Sequence, residues 1–151
     1  MIFQKIVITL LVTGVNFCFT KNDIIKVSCQ GVWCTHMRPG KYNFVCPQGA
    51  TFSKQLSYLI DSTPVDLTGY IARMQVREKP SSASSVLSLT TENGGISLGG
   101  LAGSIDIHVS ASTTSSLVPK SYVYDLELES SGGFVIRLIE GSFNVTPEVT
   151  R

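Results

Sequence analysis

Apolar and polar residues alternate with a period of two through most of the chain. No ten-residue stretch repeats with the 3.6-residue period of a helix, so strands are the predicted elements. Gly69 to Glu78 is the clearest case. Tyr70, Ala72, Met74 and Val76 form one face, and Arg73, Gln75 and Arg77 the other. Thr51 to Leu59 alternates in the same way, with Phe52, Lys54, Leu56 and Tyr58 together; Lys54 interrupts the apolar face where its stem can reach solvent. In 103–110 Ile105, Ile107 and Val109 point in, with Asp106 and His108 out. In 122–129 Tyr122, Tyr124, Leu126 and Leu128 point in, with Asp125, Glu127 and Glu129 out.

Shorter strands are predicted over 42–46, 86–90 and 96–98. A long final strand covers 134–139 and 143–145, with a bulge expected at Glu140-Gly141. Pro47-Gln48-Gly49, Asp61 to Pro64 and Ser130 to Gly133 read as turns, and Glu92-Asn93-Gly94-Gly95 as a hairpin-type turn. Lys79 to Ser84 reads as a loop, and 110–117 as one helical turn. About seven or eight short strands at this spacing predict an all-β fold. The expectation is a single antiparallel β-sandwich of immunoglobulin-like topology, without paired core cysteines, because Cys46 has no partner inside the domain.

The first 36 residues differ from the rest. They carry Lys5, Lys21 and Lys26 against Asp23, and three of the four cysteines: Cys18, Cys29 and Cys34. From Met37 onward nine basic residues meet ten acidic ones. Ile6 to Val15 is an apolar run behind Lys5, shorter than the ~20 residues that span a bilayer. Asn16-Phe17-Cys18-Phe19 lacks the small residues of a cleavage site. Three readings stand: upstream sequence ahead of a start at Met37, which the composition favours; a signal or anchor; or a structural arm. The expected division is an extension over 1–36 and a sandwich over 37–151.

Composition narrows the chemistry. Charged residues make up 15% and the net charge is +1, without a basic run, so nucleic acid is not an expected partner. Asp106 and His108 share a strand face, where a solvated surface is the simpler reading than a metal or acid–base pair. Cys29, Cys34, His36 and Cys46 match no familiar zinc spacing. No catalytic residue, metal site or cofactor is assigned, and the chain is expected not to be an enzyme. The basic stripe Arg73, Gln75, Arg77 and the acidic stripe Asp125, Glu127, Glu129 read first as wet strand faces. The sharper alternative pairs them across a subunit interface. Asn144-Val145-Thr146 has the form of a glycosylation acceptor.

From Tyr42 onward the chain resembles a type of small tailed-phage virion protein. The resemblance lies in Tyr42-Asn43-Phe44, Gln48 to Phe52, Val65 to Tyr70 with Ala72 to Arg77, and Leu89 to Ile96. It continues through Tyr124 to Leu128, Leu138 to Gly141 and the ending Pro147-Glu148-Val149-Thr150-Arg151, covering about three quarters of the chain. The order of elements is similar to the immunoglobulin-like N-terminal domain of upper baseplate proteins from lactococcal siphophages. The phage members begin near Tyr42, so residues 1–36 depart from the pattern. The resemblance implies a virion location and a structural role in tail or baseplate. It implies other virion proteins as partners, in a homo-oligomer or symmetric assembly. No membrane is expected unless the N-terminal segment is an anchor. Residues 147–151, extended and polar, are expected to dock on a neighbouring subunit. The alternative is a secreted or surface-anchored immunoglobulin-like binding module.

Overall fold

The computed structural model of the chain describes residues 16–20, 24–28 and 39–149. In chain order the strands are β1 (Asn16–Thr20), β2 (Ile24–Ser28), β3 (Gly40–Lys41), β4 (Phe44–Pro47), β5 (Phe52–Ile60) and β6 (Thr63–Pro64). They continue as β7 (Ile71–Arg77), β8 (Leu87–Thr90), β9 (Ile96–Leu98), β10 (Ser104–Val109), β11 (Ser121–Glu129) and β12 (Val135–Thr146). A short helix, α1 (Ala111–Ser115), sits between β10 and β11. One sheet runs β1-β2-β5-β10-β9 with β6 on β5, and the other β3-β12-β11-β7-β8 with β4 on β12. Lettered in the immunoglobulin manner, β5, β10 and β9 are B, E and D, facing β12, β11, β7 and β8 as G, F, C and C′. The all-β sandwich is therefore present.

The period of two explains the layers. Ala72, Met74 and Val76 from one sheet and Leu56, Ile105 and Ile107 from the other are 0–1% exposed and belong to a single cluster. At one end Phe44 gathers Tyr42, Phe52, Tyr124 and Phe143, at ring-centre distances of 4.8–6.2 Å. Lys54 passes its ammonium over the Tyr42 ring, 5.8 Å from the centre, which accommodates a cation on the apolar face. Cys46 is buried and unpaired.

Two tyrosines pin strand F. The Tyr122 hydroxyl donates to Val118 O at 2.8 Å, the tyrosine corner of immunoglobulin sandwiches. The Tyr124 hydroxyl donates to Tyr42 O at 2.8 Å and ties F to the entry of the domain. The helical turn expected over 110–117 forms, capped by the Ser110 hydroxyl on Thr113 N–H.

Three details differ from expectation. The strand expected over 42–46 starts only at Phe44, as β4, with the two-residue β3 ahead of it, and both run parallel to β12. Asn43 breaks it, because its side chain accepts from Ser142 N–H at 3.0 Å. The turn at Glu92–Gly95 closes no hairpin: β8 and β9 lie in different sheets. Leu89 and Ile96 must both face the core from opposite sides, and Asn93 Oδ1 holds the crossing by accepting from Thr90 and Gly95 N–H, each at 2.9 Å. The bulge falls at Leu138, not at Glu140-Gly141, since Leu126 faces Ile139 while Glu127 faces Arg137. Both Leu138 and Ile139 are thereby turned inward. Gly141 has another task, because a Cβ there would fall on Tyr42 O.

The first sheet also extends past the expected boundary at residue 37. β1 and β2 form a hairpin, and β2 lies parallel on the β5 edge from Ile24 opposite Ser57 to Val27 opposite Ile60. Ile6 to Val15, Cys29, Trp33, Cys34, His36 and Met37 lie outside the described residues.

Candidate interaction surfaces

The two charged stripes share the outer face of the C–F–G sheet. Strand pairing sets Glu127 opposite Arg73 and Asp125 opposite Gln75, and β12 adds Arg137 on the far side of β11. Arg73 bonds Glu129 at 2.6 Å, on the diagonal. Arg137 bridges Asp125 at 3.3 Å and Glu127 at 3.4 Å. Arg77 donates to Gln75 Oε1 at 2.8 Å and to Ser82 O. These charges therefore answer one another within the same sheet. Arg73, Gln75, Arg77, Asp125, Glu127 and Arg137 line a shallow depression of about 740 Å³ together with Lys41 and Glu140. Each exposed pair contributes about 0–1 kcal/mol, and a face with charge at its centre lacks the apolar middle of a stable interface.

Apolar surface is left open elsewhere. Leu67 N–H donates to Gly100 O at 3.0 Å, and a Cβ on Gly69 would come within 3.8 Å of the Ser131 side chain. The loops before β7, before β10 and between β11 and β12 therefore meet at one end of the sandwich. Leu67 is buried beneath them, whereas Leu101 and Phe134 are 78% and 66% exposed, and Val135 is half exposed. Asp66 takes the Thr68 N–H at 2.9 Å, and this hydrogen bonding holds its carboxyl below the usual carboxylate range.

The opposite end is tied by Gln48. Its Nε2 donates to Leu117 O at 2.9 Å and Ser115 O at 3.3 Å, and its Oε1 accepts from Glu148 N–H at 3.4 Å. The Glu148 carboxylate occupies the place that a Cβ on Gly49 would take. Pro147 and Glu148 thus fold back over the Pro47–Gly49 turn, while Val149 is 96% exposed; Thr150 and Arg151 lie outside the described residues. Lys120 and Glu78 pair nearby, which raises the ammonium and lowers the carboxyl from their ordinary values.

Asp106 accepts from Gln55 Nε2 at 2.7 Å and His108 is exposed. Among the described residues no group of three His, Cys, Asp or Glu could hold a metal ion. Burial pushes the Cys46 thiol up, which makes it a poor nucleophile or ligand. Asn144 is locked in β12 between Ser121 and Val45. No helix among the described residues is long and apolar enough to cross a membrane. Sequence reasoning missed Leu101, Phe134 and Arg137. Leu101 stood among glycines and Phe134 beside Gly133, a signal that an apolar residue sits on a loop and not in a strand face.

No family model matches the chain, and neither does any curated protein. Among solved structures it is similar to the N-terminal domain of phage TP901-1 ORF48, at 13% identity and a TM-score of 0.40, over 83% of this chain and 97% of that one. It is similar at the same TM-score to the bradyzoite-specific antigen BSR4 from Toxoplasma gondii, at 8% identity, over 90% of this chain and 52% of that one. Two proteins of such different origin match equally well, so neither likeness assigns a function.

Proposed function

We propose that the sandwich is a non-enzymatic structural component of a tailed-phage virion, a tail or baseplate module that holds other virion proteins. The observation that carries this reading is the exposure of Leu101 and Phe134 on loops that meet at one end, with Val135 next to Phe134 at the start of β12. Uncovered apolar side chains on a closed sandwich mark a contact site, and an aromatic residue such as Phe134 is a natural anchor. The motifs from Tyr42 to Arg151 that resemble phage virion proteins supply the setting. Arg73, Gln75, Arg77, Asp125, Glu127 and Glu129 would then tune approach and register more than affinity. Val149, with Thr150 and Arg151 beyond it, offers a second contact at the other end.

The test is particle incorporation. A Leu101→Glu/Phe134→Glu variant is expected to keep the wild-type melting curve and to be lost from purified particles, read by mass spectrometry. Removal of residues 147–151 is expected to weaken incorporation without unfolding the domain. Normal incorporation of the double variant defeats the end-loop reading. Wild-type protein in an exported fraction with a processed N-terminus, and none in particles, replaces the virion reading by the secreted binding module.

A further inference from the structure

The β5 edge carries β2 as an added strand. On one side β5 pairs with β10 and β6. On the other, only β2 pairs with it among the described residues, in parallel register over Ser57–Ile60. Among the residues whose side chains are described, the buried residues from Phe44 to Val145 form one cluster. The hairpin is also a unit in itself, since β1 and β2 pair along all five residues. A sandwich lacking it would present the β5 edge bare, and a bare edge is a template for a strand from another chain.

The connection between the hairpin and the domain is long for its task. β1 lies alongside β3 of the facing sheet, so the crossing in one molecule spans about the ~10 Å between packed sheets. Residues 29–39 join Ser28 to Gly40, and eleven residues reach roughly 36 Å when extended. That reach allows the same hairpin to lie on the β5 edge of its own molecule or of a neighbour. The contacts are identical in both arrangements, so concentration and local crowding set the balance, and exchange is a low-cost route to self-association.

We infer that the β5 edge over Ser57–Ile60 is a strand-acceptor site, and that in the assembled protein it takes the β1–β2 hairpin of a second copy. The partner is another copy of this chain, so the inference stands apart from the virion reading and is tested without particles.

The test uses the full chain with Cys18, Cys29 and Cys34 changed to Ser and Cys46 changed to Ala. Val27 and Ile60 are register partners, so one variant carries Val27→Cys and a second, differently tagged, carries Ile60→Cys. Oxidation of the concentrated mixture is expected to shift both tags together into a covalent heterodimer. The chain carrying both substitutions, oxidised when dilute, is expected to close within itself. If the doubly substituted chain closes but the mixture stays monomeric at every concentration, the hairpin serves only its own molecule and the exchange is refuted. If neither links, β2 does not lie on β5 and the acceptor site is lost as well. Ile24→Cys with Ser57→Cys repeats the experiment one end further along the register, should the first pair disturb folding.

Discussion

Tyr122 and Tyr124 alternate onto the same buried face yet do different work. The Tyr122 hydroxyl reaches back only four residues, to Val118 O, and closes the corner at the start of strand F. Tyr122→Phe is expected to lower stability by about 1 kcal/mol in urea unfolding, the net worth of one hydrogen bond. Tyr124 reaches across the domain to Tyr42 O, and burial drives its phenol well above the ordinary value, as burial does for Tyr58. A phenol whose folded pKa is raised holds its proton longer in the native state than in the unfolded one. Its contribution is complete below the unfolded value of 10.0 and is lost as pH rises above it. Stability is therefore expected to fall as pH rises above about 10, and less steeply in Tyr124→Phe; equal slopes in urea titrations would contradict the assignment. Gly141 is chosen by space, because Tyr42 O lies where a Cβ would be. Gly141→Ala forces β3 away from β12 and is expected to destabilise by about 1–3 kcal/mol.

Among the elements, β12 shows how one inserted residue redirects a strand. The bulge turns Leu138 and Ile139 inward together, beyond what strict alternation allows, and leaves Arg137 on the outer face to bridge Asp125 and Glu127. Leu138→Ala is expected to lose about 2–5 kcal/mol, as fully buried leucines do. Val135→Ala, half exposed on the same strand, should stay within about 0.5 kcal/mol. Near-equal losses in thermal melts would mean that Leu138 does not face the core. The β8–β9 connection is the second such decision, where the Asn93 side chain replaces the hairpin ladder with three hydrogen bonds to the crossing backbone.

For the whole molecule, the charged sheet face and the apolar loop end are two separate surfaces. Arg137→Ala removes two exposed ion pairs and is expected to lower stability by less than about 1 kcal/mol at low salt. That difference should vanish near 1 M salt, where screening reaches the pair distance. A loss that persists at high salt would instead point to packing of the arginine stem. Assembly is expected to respond in the opposite sense, weakly to Arg137 and strongly to Leu101 and Phe134.

The strands over 52–60, 71–77, 104–109 and 121–129, and the side of each that is buried, were determined by the sequence alone. Period-two alternation is a local property: each residue's face follows from its neighbours two positions away. Sandwich architecture followed from the number and spacing of those strands. Tertiary structure decided which strands adjoin. It set Arg73 beside Glu127 and Glu129, and so turned two stripes that could have met across subunits into one ion-paired face. It placed the bulge at Leu138, folded Glu148 over Gly49 and set β2 on the β5 edge. It also gathered Leu101 and Phe134, far apart in the chain, at one end. Each of these depends on contacts between residues distant in sequence, where register and sheet choice are settled by burying all the apolar faces at once.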